Sequence, residues 1–192
     1  MLVIGGGDTG SDCVGTSIRQ GAKSVAQIEI MPKPPDERDA STPWPLWPYM
    51  LRTNSSHKEG CERRWNLNSL RFVPAAPNHS TPQPFNSSTI QPSVAGVEVE
   101  TVEWEFTPEG RPAKFHSVPG TKELIEADLV FLAMGFTGVP TTSPIVAQLG
   151  LSQTPRTALI PDAARNVYCV GDCASGASLV VRALASGKSL QI

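Results

Sequence analysis

Apolar positions come in short bursts along this chain, and their spacing changes where the predicted elements change. Met1 to Ile4 is a compact apolar run that reads as a strand, and Gly5-Gly6-Gly7 is a turn. Asp8 to Gln20 follows with Val14 and Ile18 one turn apart, the spacing of a helix with one buried face. Gly21 stands where a left-handed C-terminal cap is expected. Val25 to Ile30 predicts a second strand, with Ile28 and Ile30 on one face and Glu29 inside it on the other.

From Pro32 to Pro48 regular structure stops, because Pro32, Pro34, Pro35, Pro43, Pro45 and Pro48 forbid helix or central strand. Within it, Trp44 and Trp47 alternate with proline. Two indoles on rigid backbone are expected to pack, either over their own domain, which is the simpler reading, or onto another domain or subunit. Residues 74–93 are rich in Pro, Asn, Ser and Thr and predict a surface excursion. Val97 and Val99 alternate with polar residues, and Val102, Trp104 and Phe106 alternate in the opposite phase. That slip near Glu100-Thr101 predicts a bulge or a strand break. With residues 113–118 and 122–125, separated by Glu109-Gly110 and Pro119-Gly120 turns, it makes a small antiparallel excursion over about 94–126. Leu129 to Ala133 is apolar on both faces, as a central parallel strand must be. Val167 to Val170 repeats the style, ends in Gly171-Asp172, and leads to an apolar helix starting near Ser178. The fold class is therefore α/β: a Rossmann-like parallel sheet with flanking helices and a small antiparallel β excursion.

Composition narrows the function by exclusion. The chain has 192 residues, 40% of them hydrophobic, and a formal net charge of -2, so neither nucleic acid nor an anionic membrane surface is an expected partner. No apolar run is long enough to span a membrane, the N-terminus does not read as a signal peptide, and the cytoplasm is the expected compartment. Cys13, Cys61, Cys169 and Cys173 form no C-x-x-C pair and read as small, buried or half-buried thiols. His57, His79 and His116 have no metal-type spacing and read as loop or surface residues. No residue stands out as a catalytic acid, base or nucleophile, and no metal site is expected.

Gly5-x-Gly7-x-x-Gly10 fits the dinucleotide fingerprint, and it lies where the fingerprint requires, after a strand and at the start of a helix. Gly5 permits the tight turn, Gly7 lets backbone approach a pyrophosphate, and Gly10 lets helix pack against sheet. N–H groups near Asp8 and Thr9 then point at the phosphates, aided by the helix dipole. The alternative is an ordinary glycine turn. An NAD site carries an acidic residue at the tip of the second strand; here the tip is Met31-Pro32-Lys33, with Arg38 beyond. Lys33 and Arg38 are therefore candidate partners of the NADPH 2′-phosphate, with a pair of solvated loop charges as the alternative. At the other end, an aspartate after a strand, as at Gly171-Asp172, can accept hydrogen bonds from a ribityl chain while a helix start faces a flavin.

At these residues the sequence resembles the small (beta) subunit of NADPH-dependent glutamate synthase, of the FAD/pyridine-nucleotide-disulfide oxidoreductase type. The likeness is carried by Val3 to Gly10, Asp12 to Ala22, Glu29-Ile30-Met31-Pro32, the tryptophan segment, Ala127 to Phe136, and Gly171-Asp172 with Gly176 to Val181. It implies an NADPH-binding domain (1–135, with the Pro/Trp loop at 32–65 and a variable excursion at 74–126) and an incomplete returning segment of an FAD-binding domain (136–192). It further implies that Gly5, Gly6, Gly7, Asp8, Thr9 and Gly10 hold NADPH. Gly135, Gly171, Asp172, Ser178 and Leu179 then belong to the cofactor sites, the last four to FAD. Hydride would pass from NADPH to FAD, and electrons through 4Fe-4S clusters in a missing region to a large subunit making glutamate from glutamine and 2-oxoglutarate. The chain is expected to be cut from a longer polypeptide and inactive alone, with the missing N-terminal part and the large subunit as partners. Ala174-Ser175 and Arg182 depart from the family pattern of two arginines and a tryptophan. A related flavoprotein serving another acceptor, or a non-catalytic NAD(P)-binding module, are the alternatives.

Overall fold

The computed structural model describes residues 1–76, 93–108 and 110–190, and the chain divides into two compact units, Met1–Met134 and Gly135–Ile192. Most of the expected 74–93 excursion, residues 77–92, lies outside the described residues. The first unit runs β1 (Leu2–Ile4), α1 (Asp8–Arg19), β2 (Ala26–Ile28), α2 (Ser55–Lys58), β3 (Glu62–Arg64), β4 (Leu67–Pro74), β5 (Val94–Phe106), β6 (Pro112–Ser117), β7 (Glu123–Glu126) and β8 (Val130–Leu132).

The parallel sheet has the order β3-β2-β1-β8, with Ile4 opposite both Ile28 and Leu132. Period-two alternation sends its side chains to two cores. On one face, Leu2, Ile4 and Ile28 pack with Leu67, Val97, Val99 and Ala127; on the other, Val3 packs with Val14 of α1 and Val25. The antiparallel sheet is built on β5, which pairs with β4, β6 and β7. The expected arrangement of α/β with an antiparallel excursion is what the chain adopts.

Four elements of the first unit differ from expectation. β2 stops at Ile28, because Pro32 and Pro34 carry the chain away and the Glu29 carboxylate collects the Met31 N–H at 3.1 Å. Instead of a bulge or break at Glu100-Thr101, β5 is one 13-residue strand, and the phase slip marks a change of partner. Val94 to Thr101 face β4, and Val102 to Phe106 face β6. Leu129 to Ala133 does not form a central strand: β8 pairs with β1 alone among the described residues and leaves Leu132 59% exposed. The tryptophan loop does not cover its own domain either, since Trp44 and Trp47 are 85% and 77% exposed, with the Arg52 guanidinium 4.1 Å from the Trp47 ring centre.

The second unit contains α3 (Pro144–Leu149), a 3-10 turn (Ala163–Arg165), α4 (Asp172–Ser175) and α5 (Val180–Lys188). Pro144 starts α3 with its φ preset, and Gly150 at φ +56° ends it. The strand expected at Val167 to Val170 is reduced to one bridge, Asp162 to Val167, because no described neighbour offers it a ladder. Among the described residues of this unit, the buried large hydrophobics are Leu151 and Leu159. No helix among the described residues is long and apolar enough to cross a membrane.

Candidate functional site

The glycine turn joins β1 to α1, and each glycine meets a different neighbour. Gly5 sits at φ +122°, and a β-carbon there would fall 2.2 Å from the Ala133 carbonyl oxygen. Only glycine fits. At Gly10 the β-carbon would fall 2.2 Å from the Gly5 oxygen and 2.7 Å from Gln27 Nε2, which is the close helix–strand approach expected of it. Gly7 is the opposite case: it caps α1 in extended backbone, φ -79°, and a β-carbon would project into open space. Gly7, Asp8 and Thr9 are exposed, and the first bond of α1 runs from the Ser11 N–H to the Gly7 carbonyl. By helix geometry the preceding N–H groups have no intrahelical partner and point out of the helix start.

Gly6 and Gly7 line a cavity of about 350 Å3 whose other walls include Glu29, Arg52, Arg63 and Trp65. Glu29 lies just past the end of β2, not inside it, and its carboxylate accepts the Gly6 N–H at 2.5 Å. Arg63 rises from the neighbouring strand β3, donates to the Arg52 carbonyl at 3.1 Å and stacks 5.1 Å from the Trp65 ring centre. Burial lowers its pKa, the mark of a guanidinium held partly out of water. Lys33 and Arg38 do not line this cavity. Lys33 pairs with Asp36 at 3.2 Å, and Arg38 donates to the Thr42 carbonyl at 3.0 Å.

Sequence reasoning missed Arg52 and Arg63, which lie more than 20 residues beyond the fingerprint, and set Glu29 aside because the strand was drawn two residues too long. Parallel pairing is the missing signal: β3 beside β2 brings Arg63 opposite Gln27, two residues from Glu29. His57 was also misjudged. It is buried, not a surface residue, bonding Gln27 Oε1 at 2.9 Å and the Asn54 N–H at 3.1 Å.

In the second unit, Gly171 at φ +67° precedes α4, and Asp172 opens it. The Asp172 carboxylate accepts the Ser178 N–H at 3.3 Å, tying the loop before α5 to the Gly-Asp turn. Leu179 caps α5 and is 64% exposed. Asp172 also lines a cavity of about 270 Å3 with Phe136, Gly138 and Cys173. Gly135, at φ +92°, opens this unit but lines neither cavity. The four cysteines are free, and no cluster of ligands for a metal occurs among the described residues.

No protein-family profile matches the chain. It is 38% identical, over 98% of its length, to the glutamate synthase [NADPH] small chain of Mycobacterium tuberculosis, of which it covers 35%. It is 31% identical to glutamate synthase [NADH] of Saccharomyces cerevisiae, covering 9% of that protein. Among solved structures, Mycobacterium tuberculosis FprA in complex with NADPH superposes with a TM-score of 0.53 at 15% identity, over 97% of this chain and 49% of that one, a likeness of fold. The chain thus spans about a third of the length of the small-chain relatives it matches. Along 98% of its length, this chain is a homologue of that third of the glutamate synthase small chain.

Proposed function

We propose that the chain is the pyridine-nucleotide-binding part, with part of the flavin-binding region, of a glutamate synthase small subunit. One observation carries this reading. The turn ending at Gly7 presents the start of a 12-residue helix to a cavity that Arg52 and Arg63 also line. Helix N–H groups near Asp8 and Thr9 suit a pyrophosphate, and Arg52 and Arg63, rather than Lys33 and Arg38, suit a 2′-phosphate. NADPH held at the glycine turn would supply a hydride, and FAD, held in part by the second unit, would accept it. The residues of this chain bind and orient, and no side chain here is asked for acid or base chemistry. Gly171, Asp172, Ser178 and Leu179 would hold part of FAD, with the Gly-Asp turn already ordered by the Ser178 contact. Iron–sulfur clusters and a large subunit that makes glutamate from glutamine and 2-oxoglutarate complete the reading, and both lie outside this chain.

Glu29 favours a second reading, an NADH enzyme, because its carboxylate stands at the strand tip where a ribose 2′-OH is held. The relative from yeast, named for NADH, makes the comparison pointed. Neutralising both Arg52 and Arg63 decides between them. An NADPH enzyme loses tenfold or more in NADPH affinity while NADH binding stays level, since each charge-assisted contact is worth about 1.5–3 kcal/mol.

The glycine turn itself is tested by Gly7→Val. Its backbone is extended and its surroundings are open, so the variant should fold, with a loss of about 1 kcal/mol for the poorer helix cap. The valine side chain would stand where the phosphates go, and NADPH titration should show binding abolished. A folded variant that binds as the parent does would end the nucleotide reading.

A further inference from the structure

One peptide unit of the fingerprint is held at both ends by side chains from β2 and from just past its end. The Gly5 carbonyl accepts from Gln27 Nε2 at 2.9 Å, and the Gly6 N–H of the same unit donates to Glu29 at 2.5 Å. Behind Gln27 stands His57. Its Nδ1 takes the Asn54 N–H at 3.1 Å, and a backbone N–H can only donate, so the ring proton is on Nε2. That proton is directed at Gln27 Oε1, 2.9 Å away. A carboxamide whose oxygen is claimed in this way must present its NH2 to the Gly5 carbonyl. The donors therefore run one way, from Asn54 through His57 and Gln27 to the glycine turn. Asn54 also donates its side-chain Nδ2 to Ser11 Oγ on α1 at 3.1 Å. The segment bearing Asn54 and His57 follows directly on Arg52, a wall of the cavity.

We propose that neutral His57, acting through Gln27, is a positioning residue that sets the Gly5–Gly6 peptide and the Arg52 wall for the dinucleotide. This rests on the nucleotide reading of the cavity and extends it to residues that touch no ligand. Without the imidazole donor the Gln27 amide loses its second anchor and is free to swing away from the Gly5 carbonyl, loosening one of the bonds that hold the turn. Protonation of His57 has a related effect at the other nitrogen, because Nδ1–H cannot accept from Asn54. Arg63 of β3 acts on the ring against that protonation, β2 contributes the uncharged Gln27, and of the charged residues that follow His57 in the chain, Lys58 and Glu59, the second is paired to Arg19 of α1.

The test compares His57→Phe, which removes both ring bonds, with His57→Gln, whose Nε2 amide can donate to Gln27 as the imidazole does. NADPH titration of the whole protein should find His57→Phe about three- to tenfold weaker, the effect of one neutral hydrogen bond, and His57→Gln restored most of the way. If His57→Phe does not fold, Gln27→Met, which deletes the donor to Gly5, takes its place with the same expectation of weakening. A second readout is the Gly6 amide resonance: it should move in His57→Phe and return in His57→Gln. Unchanged affinity in folded His57→Phe, or His57→Gln as weak as His57→Phe, overturns the proposal. If the parent protein binds neither NADPH nor NADH, the nucleotide reading fails, and the positioning claim stands or falls on the Gly6 resonance, an unmoved signal overturning it.

Discussion

Two regions of this chain carry similar apolar patterns and use them differently. In Met1–Met134 the apolar runs of β1, α1 and β2 find opposing layers: the sheet lies between α1 on one face and β4, β5 and Ala127 on the other, and Leu2, Val3, Val14 and Ile28 have no exposed surface. In Gly135–Ile192 the runs find no such layer among the described residues. α5 leaves Val180, Val181 and Leu184 at 74%, 66% and 68% exposure, and the apolar Val167 to Val170 forms no strand. Patterning specifies which face of an element wants burial; whether burial follows depends on a second layer being present. All four tryptophans, Trp44, Trp47, Trp65 and Trp104, lie in the first unit, so indole fluorescence follows that unit alone.

The sharpest break of this contrast is a pair of glycine substitutions. Gly5→Val adds left-handed strain of about 1–3 kcal/mol and forces a methyl-bearing carbon against the Ala133 carbonyl, together up to about 6 kcal/mol. That rivals the whole stability of a small domain, and the tryptophan signal of the folded unit should be lost at room temperature. Gly176→Val, at φ +87° in open space in the second unit, adds strain alone and should leave the tryptophan melting curve where it was. A folded Gly5→Val protein would mean that β1 and β8 are not packed as described.

A matched pair of truncations comes next. Ile28→Ala empties a fully buried position and should lower the urea midpoint by the equivalent of about 2–5 kcal/mol. Leu184→Ala should change stability by less than about 0.5 kcal/mol, as exposed positions do. A loss of about 2 kcal/mol or more at Leu184 would show that α5 packs against a layer in solution, and the contrast between the regions would shrink accordingly.

The same contrast explains what was legible in the sequence. The β1–turn–α1–β2 unit could be read because its signals are local: glycine spacing, Val14 with Ile18, and Gly21 after the helix. What escaped depends on where a strand ends and on which elements close around it. Glu29 becomes a strand-tip residue only because Pro32 turns the chain, and Arg63 reaches the cavity only through pairing of β3 with β2. His57 gives no periodic signal, and its burial follows from Gln27 and Asn54 closing around it. The strand expected at Val167 failed for the complementary reason: the local pattern was present and the partner was not.

The smallest effect is a pH window that belongs to one region only. Burial, assisted by the charge of Arg63, holds the His57 pKa below its ordinary 6.5. The folded unit therefore keeps His57 neutral at pH values where the unfolded chain has already taken up a proton. Stability from this group is complete above 6.5 and is lost as pH falls from there through the depressed folded value. The carboxylates behave alike but lower down. Glu100, bonded by Ser117, and Glu105, bonded by His116, are held below 4.5, and Asp162 of the second unit, bonded by Arg165, below 3.8, so their contributions vanish only in stronger acid. Urea midpoints read by tryptophan fluorescence should thus begin to fall just below pH 6.5, and His57→Gln, with no titrating ring, should stay level until the carboxylates protonate. Hydrogen exchange in α5, read over the same range, should show no step near pH 6. A parent protein whose tryptophan midpoint is flat from pH 7 to pH 5 would mean that His57 titrates as it does in the unfolded chain, and that the imidazole is not held between Asn54 and Gln27.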